Sequence, residues 1–76
     1  MTTYSKILRK YYDNSNVIYI SNMIQAYKYL NSSEEVVNDL VDIIYSGNRK
    51  DCLVFVFNRT PLIKELYTKW QSHELE

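Results

Sequence analysis

The chain has 76 residues, and its nine basic and nine acidic side chains cancel to a formal net charge of zero. A chain of this length forms one domain, and balanced charge argues against binding nucleic acid through a general basic excess or acting as an acidic mimic of DNA. One cysteine excludes an internal disulfide and indicates a reducing compartment. The N-terminus lacks the apolar run of a signal peptide or membrane span. We therefore expect a cytoplasmic protein that does not cross a membrane.

Aromatic residues are frequent, with eight Tyr, two Phe and one Trp. A domain this small buries only roughly 60–65% of its unfolded surface, so large rings are an efficient way to build its core. Eight tyrosines are more than such a core can hold. Some of them must lie at the surface, where tyrosine is typical of protein interfaces.

Residues 3–12 carry an apolar stripe with helical spacing. The stripe consists of Tyr4, Ile7, Leu8, Tyr11 and Tyr12, and the basic residues Lys6, Arg9 and Lys10 lie on or beside the opposite face. Thr2 or Thr3 suits the N-cap of such a helix, and the polar cluster at 13–16 ends it. The spacing predicts an amphipathic helix packed on a sheet, with a mobile docking arm as the alternative.

The segment 17–20 is a short apolar run after that turn and predicts a strand. Asn22 and Gln25 have the spacing of a capping box, which marks the start of a helix. One face of that helix carries Met23, Ile24, Tyr27 and Leu30, and Ala26 allows close approach to the sheet. The polar residues 31–33 interrupt the helix.

The region 34–46 fits two predictions. Ser32 and Glu35 form a second capping-box spacing, and a helical period is fitted by Val36, Val37, Leu40, Val41 and Ile44. Towards its end the pattern alternates as in a strand, and residues 46–50 form a connection typical of a hairpin, with Gly47 supplying the turn. We expect a helical turn at about 33–38 and a strand at about 40–46, with one helix over 33–45 as the alternative.

Six apolar residues run without a break from 52 to 57 and predict a buried strand. Thr60 then suits a helix N-cap, and Pro61 suits the first helical position. The apolar stripe of the following helix consists of Leu62, Ile63, Leu66, Tyr67 and Trp70. A strand that leads directly into a capped helix is the best-determined unit of the sequence.

These elements predict an α+β fold: a small three-stranded antiparallel sheet with helices packed on it, in the order α-β-α-β-β-α. The domain divides into an N-terminal helix and turn at 1–16 and a core at 17–70. The central strand directs Leu53, Phe55 and Phe57 to one side and Cys52, Val54 and Val56 to the other. If helices cover one side, the other is closed by the 4–12 helix, by a second copy in a homodimer, or by a partner.

The core also carries a pattern of short motifs. Tyr19, Ile20 and Ser21 open a helix with Ala26 and Leu30, and after the next strand come Phe55, Val56 and Phe57, a Thr-Pro turn and a helix that ends in Trp70. Over about residues 17–70 this pattern resembles a small family from phages, prophages and plasmids of Gram-positive bacteria, catalogued as a domain of unknown function. The resemblance implies an origin in a mobile element and nothing about catalysis. The chain departs from that family in a longer, acidic stretch before the second strand and in the extra segment 4–12.

Residues suited to catalysis are scarce. His73, the single histidine, lies near the C-terminus, and Cys52 lies in an apolar strand where a thiol packs inertly. One His with one Cys does not make a metal site, and one glycine excludes a glycine-rich phosphate loop. The carboxylates fit a solvated face. We expect no enzymatic activity, no catalytic residue, no metal and no cofactor.

Protein binding is the favoured function. The acidic run 34–42 and the basic segment 6–10 form opposed patches that steer a charged partner, and surplus tyrosines serve as anchors. The predicted partner-binding residues are Glu34, Glu35, Asp39, Asp42, Lys6, Arg9, Lys10, Tyr11 and Tyr12. We expect a small non-catalytic protein that modulates or inhibits a host protein in the cytosol, such as one whose arginine-lined groove normally holds nucleic acid. The family resemblance and the small size of the chain, and no particular residue, further predict a counter-defence role of anti-CRISPR type.

The alternative is an accessory protein that binds nucleic acid itself. It would use the basic and aromatic cluster at 6–12, together with Arg49 and Lys50 at the hairpin tip. Phe55 and Phe57 lie in a wholly apolar strand, so we assign them to the core rather than to a base-stacking surface. Direct binding of nucleic acid is therefore the weaker expectation.

Overall fold

The computed structural model describes residues 1–46 and 52–74. In chain order the elements are β1 (Thr2–Ser5), β2 (Lys10–Asp13), β3 (Val17–Ile20), α1 (Met23–Ser32), α2 (Glu34–Asp39), β4 (Leu40–Ser46), β5 (Cys52–Asn58) and α3 (Pro61–Gln71). The predicted α+β class is confirmed, with an antiparallel sheet in the order β3-β5-β4 and a separate β1-β2 hairpin. The predicted turn at 47–50 lies outside the described residues, and no described helix has the length and apolar character needed to cross a membrane.

The N-terminal segment is a hairpin, so the helix predicted over 3–12, the first element of the predicted order, is wrong. Tyr4 pairs with Tyr11 across β1 and β2. The turn between the strands closes through a hydrogen bond from Arg9 N to Ser5 O at 2.8 Å, and Arg9 adopts a positive φ of 57°. Because threonine and tyrosine favour strands, two short strands here outcompete a helix whose apolar spacing is coincidental.

The β5 strand lies at the centre of the sheet, as its unbroken apolar run predicts. One face is covered by the helices and forms a core of Ile20, Ala26, Tyr29, Val36, Leu40, Phe57, Ile63 and Leu66. The rings of Tyr29 and Phe57 lie 5.7 Å apart, centroid to centroid. Ala26 is buried on α1, which fits the predicted close approach of that helix. We call this side of the sheet the helical face.

The helix caps follow the sequence closely. Asn22 Oδ1 accepts hydrogen bonds from the backbone N–H groups of Ile24 and Gln25, at 2.9 and 3.1 Å. Gln25 does not return the bond, because its amide donates to the Tyr29 hydroxyl at 2.9 Å. Thr60 caps α3 and Pro61 is its first residue, as predicted.

The region 34–46 divides into α2 and β4, so the alternative of one helix over 33–45 is wrong. Ser33, and not Ser32, caps α2 through a bond from Glu35 N to its hydroxyl at 3.2 Å. The Ser32 hydroxyl instead donates to Tyr29 O within the last turn of α1. The predicted strand at about 40–46 is confirmed.

The other side of the sheet, which we call the hairpin face, is covered by the β1-β2 hairpin. Tyr12 packs there against Val17, Val41 and Val56. An irregularity in β4 between Leu40 and Asp42 resembles a β-bulge and turns two successive residues of β4 towards the hairpin. Of the three predicted ways to close this side, the N-terminal segment provides the cover, although as strands.

Candidate functional site

A buried carboxylate ties the hairpin to β4. Asp42 Oδ1 accepts hydrogen bonds from the Ser5 hydroxyl at 2.7 Å and from the Ile43 backbone N–H at 2.8 Å. Its Oδ2 accepts a bond from the Tyr12 hydroxyl at 2.9 Å. All three side chains, Ser5, Tyr12 and Asp42, are buried. Hydrogen bonds to a charged acceptor are stronger than neutral ones, so this network holds the hairpin firmly in place.

Two predicted partner-binding residues therefore lie inside the protein. Tyr12 and Asp42 face each other between the hairpin and the sheet, and both are buried, although Asp42 also borders a groove between the hairpin and β4. Burial, followed by the hydrogen bond to Asp42, raises the pKa of Tyr12 to about 12. The phenol thus stays protonated and donates to the carboxylate at neutral pH.

The outward face of the hairpin carries a pair of tyrosine rings. Tyr4 and Tyr11 pack edge to face, with centroids 4.9 Å apart. Their neighbours Ser5 and Tyr12 point inward, because successive strand residues alternate between faces. Tyr11 remains 71% exposed, so the ring pair is available at the surface.

An open groove of about 470 Å³ adjoins this ring pair. Its apolar lining includes Tyr4 and Ile7 from the hairpin, and Ile44 and Tyr45 from β4. Each of these four side chains is exposed. We define the hairpin surface as these four residues together with Tyr11.

Three cations lie on the hairpin, in the turn between its strands and at the start of β2. Lys6, Arg9 and Lys10 are exposed, and Lys6 lines the groove. None of the three forms an ion pair within residues 1–46 and 52–74. The predicted basic cluster is thus at the surface, on a hairpin instead of a helix, whereas Arg49 and Lys50 lie outside the described residues.

Asp13, at the end of β2, is the acidic residue of the hairpin. Its Oδ1 accepts hydrogen bonds from the Ser15 hydroxyl and backbone N–H, and it lies 3.2 Å from the N-terminal ammonium group. These contacts lower the pKa of Asp13 to about 2. The negative charge of Asp13 is therefore taken up by contacts with Ser15 and the N-terminal ammonium group. The other charged side chains of the hairpin are positive.

The predicted acidic run does not form one surface. Glu34 and Glu35 are exposed on α2, in the helical layer. Asp39 accepts a hydrogen bond from the Thr60 hydroxyl at 2.9 Å and so helps to position the start of α3. With Asp42 buried, only the first two carboxylates of the run are fully exposed, and they lie on the other side of the sheet from the hairpin.

Tyr4, Ile7, Ile44 and Tyr45 were not among the residues predicted to bind a partner. The first two were assigned to a helical stripe that packs on the sheet. The signal that identifies Tyr4 is the directly opposed pair with Tyr11, which appears only when 2–5 and 10–13 are read with a period of two.

Among the described residues, no group of three or more His, Cys, Asp or Glu side chains is arranged to hold a metal ion. The sequence matches no protein-family model, and comparisons with curated proteins and with solved structures find no match. The family resemblance of residues 17–70 therefore stays a prediction.

Proposed function

We propose that the protein is a non-catalytic binding protein that attaches to a partner protein through the hairpin surface and thereby modulates or inhibits it. The observation that carries this proposal is the exposed Tyr4–Tyr11 pair beside an apolar groove. Tyrosine gives a large contact area at a low cost in conformational entropy, and for this reason it is common among residues that dominate binding energy.

The anchoring of the hairpin supports the same conclusion. Because Ser5 and Tyr12 bond to Asp42, the strands that carry the ring pair are held in one position before any partner arrives. A surface that is already ordered loses little entropy on binding. The hairpin is thus better suited to recognition than a mobile arm would be.

The charges around the surface indicate an acidic partner. Lys6 adds positive charge at the groove, and Arg9 and Lys10 add it elsewhere on the same hairpin. Charge at the rim of an interface mainly raises the association rate and selects against basic surfaces. Because the exposed acidic residues of the predicted run are reduced to Glu34 and Glu35, we assign the contact to the hairpin surface. Binding through the acidic run 34–42, with an arginine-lined groove as its target, is the less favoured of the two binding modes.

The biological setting is proposed on the family resemblance and the small size of the chain. In this proposal the protein comes from a phage or another mobile element and acts in the cytosol of the host cell. Its target is a host protein, and its role is counter-defence of the anti-CRISPR kind. No particular residue carries this part of the proposal.

The test begins with capture of a partner from a bacterial lysate, followed by affinity measurement with the purified partner. Tyr11→Ala should weaken binding by at least about tenfold, because it removes an exposed aromatic anchor. Tyr27→Ala is the matched control, since Tyr27 is a similarly exposed tyrosine on α1. It should leave the affinity unchanged.

Thermal denaturation of both variants checks that neither change disturbs the fold. If Tyr11→Ala and Tyr27→Ala bind the partner equally well, the hairpin surface is not the binding site. If the purified protein turns over any substrate, the non-catalytic part of the proposal fails.

A second candidate function is binding of single-stranded nucleic acid. The observation that favours it is the Tyr4–Tyr11 ring pair on a hairpin that also carries three exposed cations, since bases stack on exposed aromatic rings within basic surroundings. Three phosphate contacts would make affinity for single-stranded DNA fall about 10- to 20-fold between 50 and 200 mM salt. Micromolar binding with that salt dependence, lost in Tyr11→Ala, would replace the protein-binding proposal.

A further inference from the structure

The β3 strand has a free edge. Its only neighbour among the described strands is β5. Arg59 N donates a hydrogen bond to Asn16 O at 3.0 Å. In an antiparallel ladder every second residue of an edge strand bonds to its neighbour, so Ile18 and Ile20 also bond to β5 through their backbone groups. The backbone N–H and C=O groups of the residues between, Val17 and Tyr19, therefore point away from the sheet.

A groove of about 700 Å³ lies between this edge and α3. Ile18 of the strand and Tyr67 of the helix line it with partly exposed side chains, and the buried Ile20 and Ile63 form its floor. The strand carries neither a charged residue nor a proline, which are common means of blocking an edge. The N–H and C=O groups of Tyr19 are open beside this apolar groove, whereas Val17 O is bonded by Arg59. Open backbone groups beside an apolar groove are the features of a site where an extended peptide adds to a sheet.

The groove is also positively charged. Arg59 and Lys64 line it, and no acidic side chain does. The Arg59 guanidinium donates a long hydrogen bond of 3.4 Å to Val17 O, which places it at the N-terminal end of the strand. Neither cation forms an ion pair in the described parts of the chain.

The charge decides between possible occupants. A second copy of the chain brings the same two cations, so pairing edge to edge would set one positive groove against another. A C-terminal carboxylate is usually held by a nest of backbone N–H groups, whereas this groove presents a guanidinium and an ammonium group. An acidic side chain on an extended segment fits both the backbone edge and the charge.

We infer that the β3 edge binds an extended segment of a partner protein, with apolar residues at alternate positions and an Asp or Glu side chain beside Arg59 and Lys64. This site borders α3 on one edge of the sheet, whereas the hairpin surface adjoins β4, the strand at the other edge. The inference does not rest on the proposed function of the hairpin surface.

The probes are two capped peptides, Ac-ETVTVT-NH2 and Ac-VTVTET-NH2. In each, the glutamate and both valines share one face, and the two place the acid at opposite ends because the direction of the added strand is open. Titration of the full chain, followed by NMR, should show binding of one of them. Amide exchange of Tyr19 should slow on binding, while that of Ile18, already bonded to β5, should change little.

Charge is tested on both molecules. Replacing the glutamate of the bound peptide with glutamine, or making Lys64→Gln in the protein, should weaken binding by about tenfold. Lys69→Gln is the matched control, because Lys69 lies on the same helix but does not line the groove. It should leave the affinity unchanged.

Strand pairing is tested by N-methylation of the peptide. Methyl groups on the alternate residues of one edge should abolish binding, and methyl groups on the other edge should not. Equal binding of the two methylated peptides, or no binding of either parent peptide, would overturn the inference. So would a dimer whose Tyr19 amide is already protected, or equally tight binding of the glutamine peptide with a free C-terminal carboxylate.

Discussion

The two faces of the three-stranded sheet are buried by different means. The helical face is closed by apolar side chains from all three helices, and Tyr29, Phe57 and Ile63 are fully buried there. The hairpin face buries a smaller apolar cluster and the carboxylate of Asp42, which bonds to two hydroxyl groups of the hairpin. Closing the helical face requires only apolar residues at helical or strand spacing. Closing the hairpin face requires in addition hydroxyl groups positioned to donate to the buried carboxylate.

The largest expected effect is on the helical face. Phe57→Ala should lower the free energy of unfolding by roughly 3–5 kcal/mol, because it empties the centre of the core. That loss is a large part of the roughly 4–11 kcal/mol expected for a domain of this size. Urea denaturation followed by circular dichroism measures it.

Val56→Ala is the corresponding change on the hairpin face, since Val56 immediately precedes Phe57 in β5 and is equally buried. Its loss should be smaller, roughly 2 kcal/mol, because fewer carbon atoms leave the core than in Phe57→Ala. Equal losses in the free energy of unfolding for the two variants would contradict the larger stabilisation that we assign to the helical face.

The buried carboxylate of Asp42 should contribute almost as much to the free energy of unfolding as the ring of Phe57. Asp42→Ala leaves the hydroxyls of Ser5 and Tyr12 buried without their acceptor and should lower the free energy of unfolding by roughly 3 kcal/mol. Glu35→Ala, at an exposed carboxylate, should change it by less than about 0.5 kcal/mol. If Asp42→Ala unfolds at the same urea concentration as the wild type, the network does not hold the hairpin.

High pH should weaken the hairpin face. The pKa of Tyr12 is raised to about 12, so the unfolded chain releases this phenolic proton near pH 10 while the folded chain still holds it. The stabilisation is complete below pH 10 and is lost as the pH rises to about 12, because the folded state then binds more protons than the unfolded state. Melting temperatures between pH 9 and 12 should therefore fall.

Tyr12→Phe isolates this effect. The variant should be less stable at pH 8 but should decline less steeply with pH than the wild type. Burial also raises the pKa of Tyr29, and Tyr29 is present in both proteins, so its contribution cancels in the comparison. If the melting temperatures of Tyr12→Phe and the wild type fall in parallel as the pH rises, Tyr12 does not cause the loss of stability at high pH.

The smallest expected effect concerns the hairpin turn. Arg9 has a positive φ of 57°, which glycine adopts without a steric cost. Arg9→Gly should raise the free energy of unfolding by about 0.5–1 kcal/mol. Lys10→Gly, one residue on and inside β2, should lower it instead, and a loss in both variants would contradict the strain assigned to Arg9.

The sequence predicts the helical face because its signals are local. The apolar run of β5, the Thr60 and Pro61 cap, and the Asn22 cap each depend on residues a few positions apart. The strand β4 was harder to predict, since its apolar residues also fit a helix. Alternation and the following turn residues favoured the strand correctly.

The hairpin face could not be predicted in the same way. Helical spacing placed Tyr11 and Tyr12 on one side of a helix, whereas strand geometry puts them on opposite faces. The irregularity in β4 that turns Asp42 inward leaves no pattern in the sequence. From the sequence, Asp42 is therefore predicted to be solvent-exposed like its acidic neighbours. Its hydroxyl partners lie far away in the chain and are identified only by the fold.

The long reach of the Asp42 contacts has a consequence for how the protein assembles. Asp42 lies 37 positions after Ser5 and 30 after Tyr12, so the first strands leave the ribosome well before their acceptor does. Until then the hydroxyls of Ser5 and Tyr12 lack this acceptor. Because their acceptor lies on β4, we expect the N-terminal strands to dock only after β4 has joined the sheet.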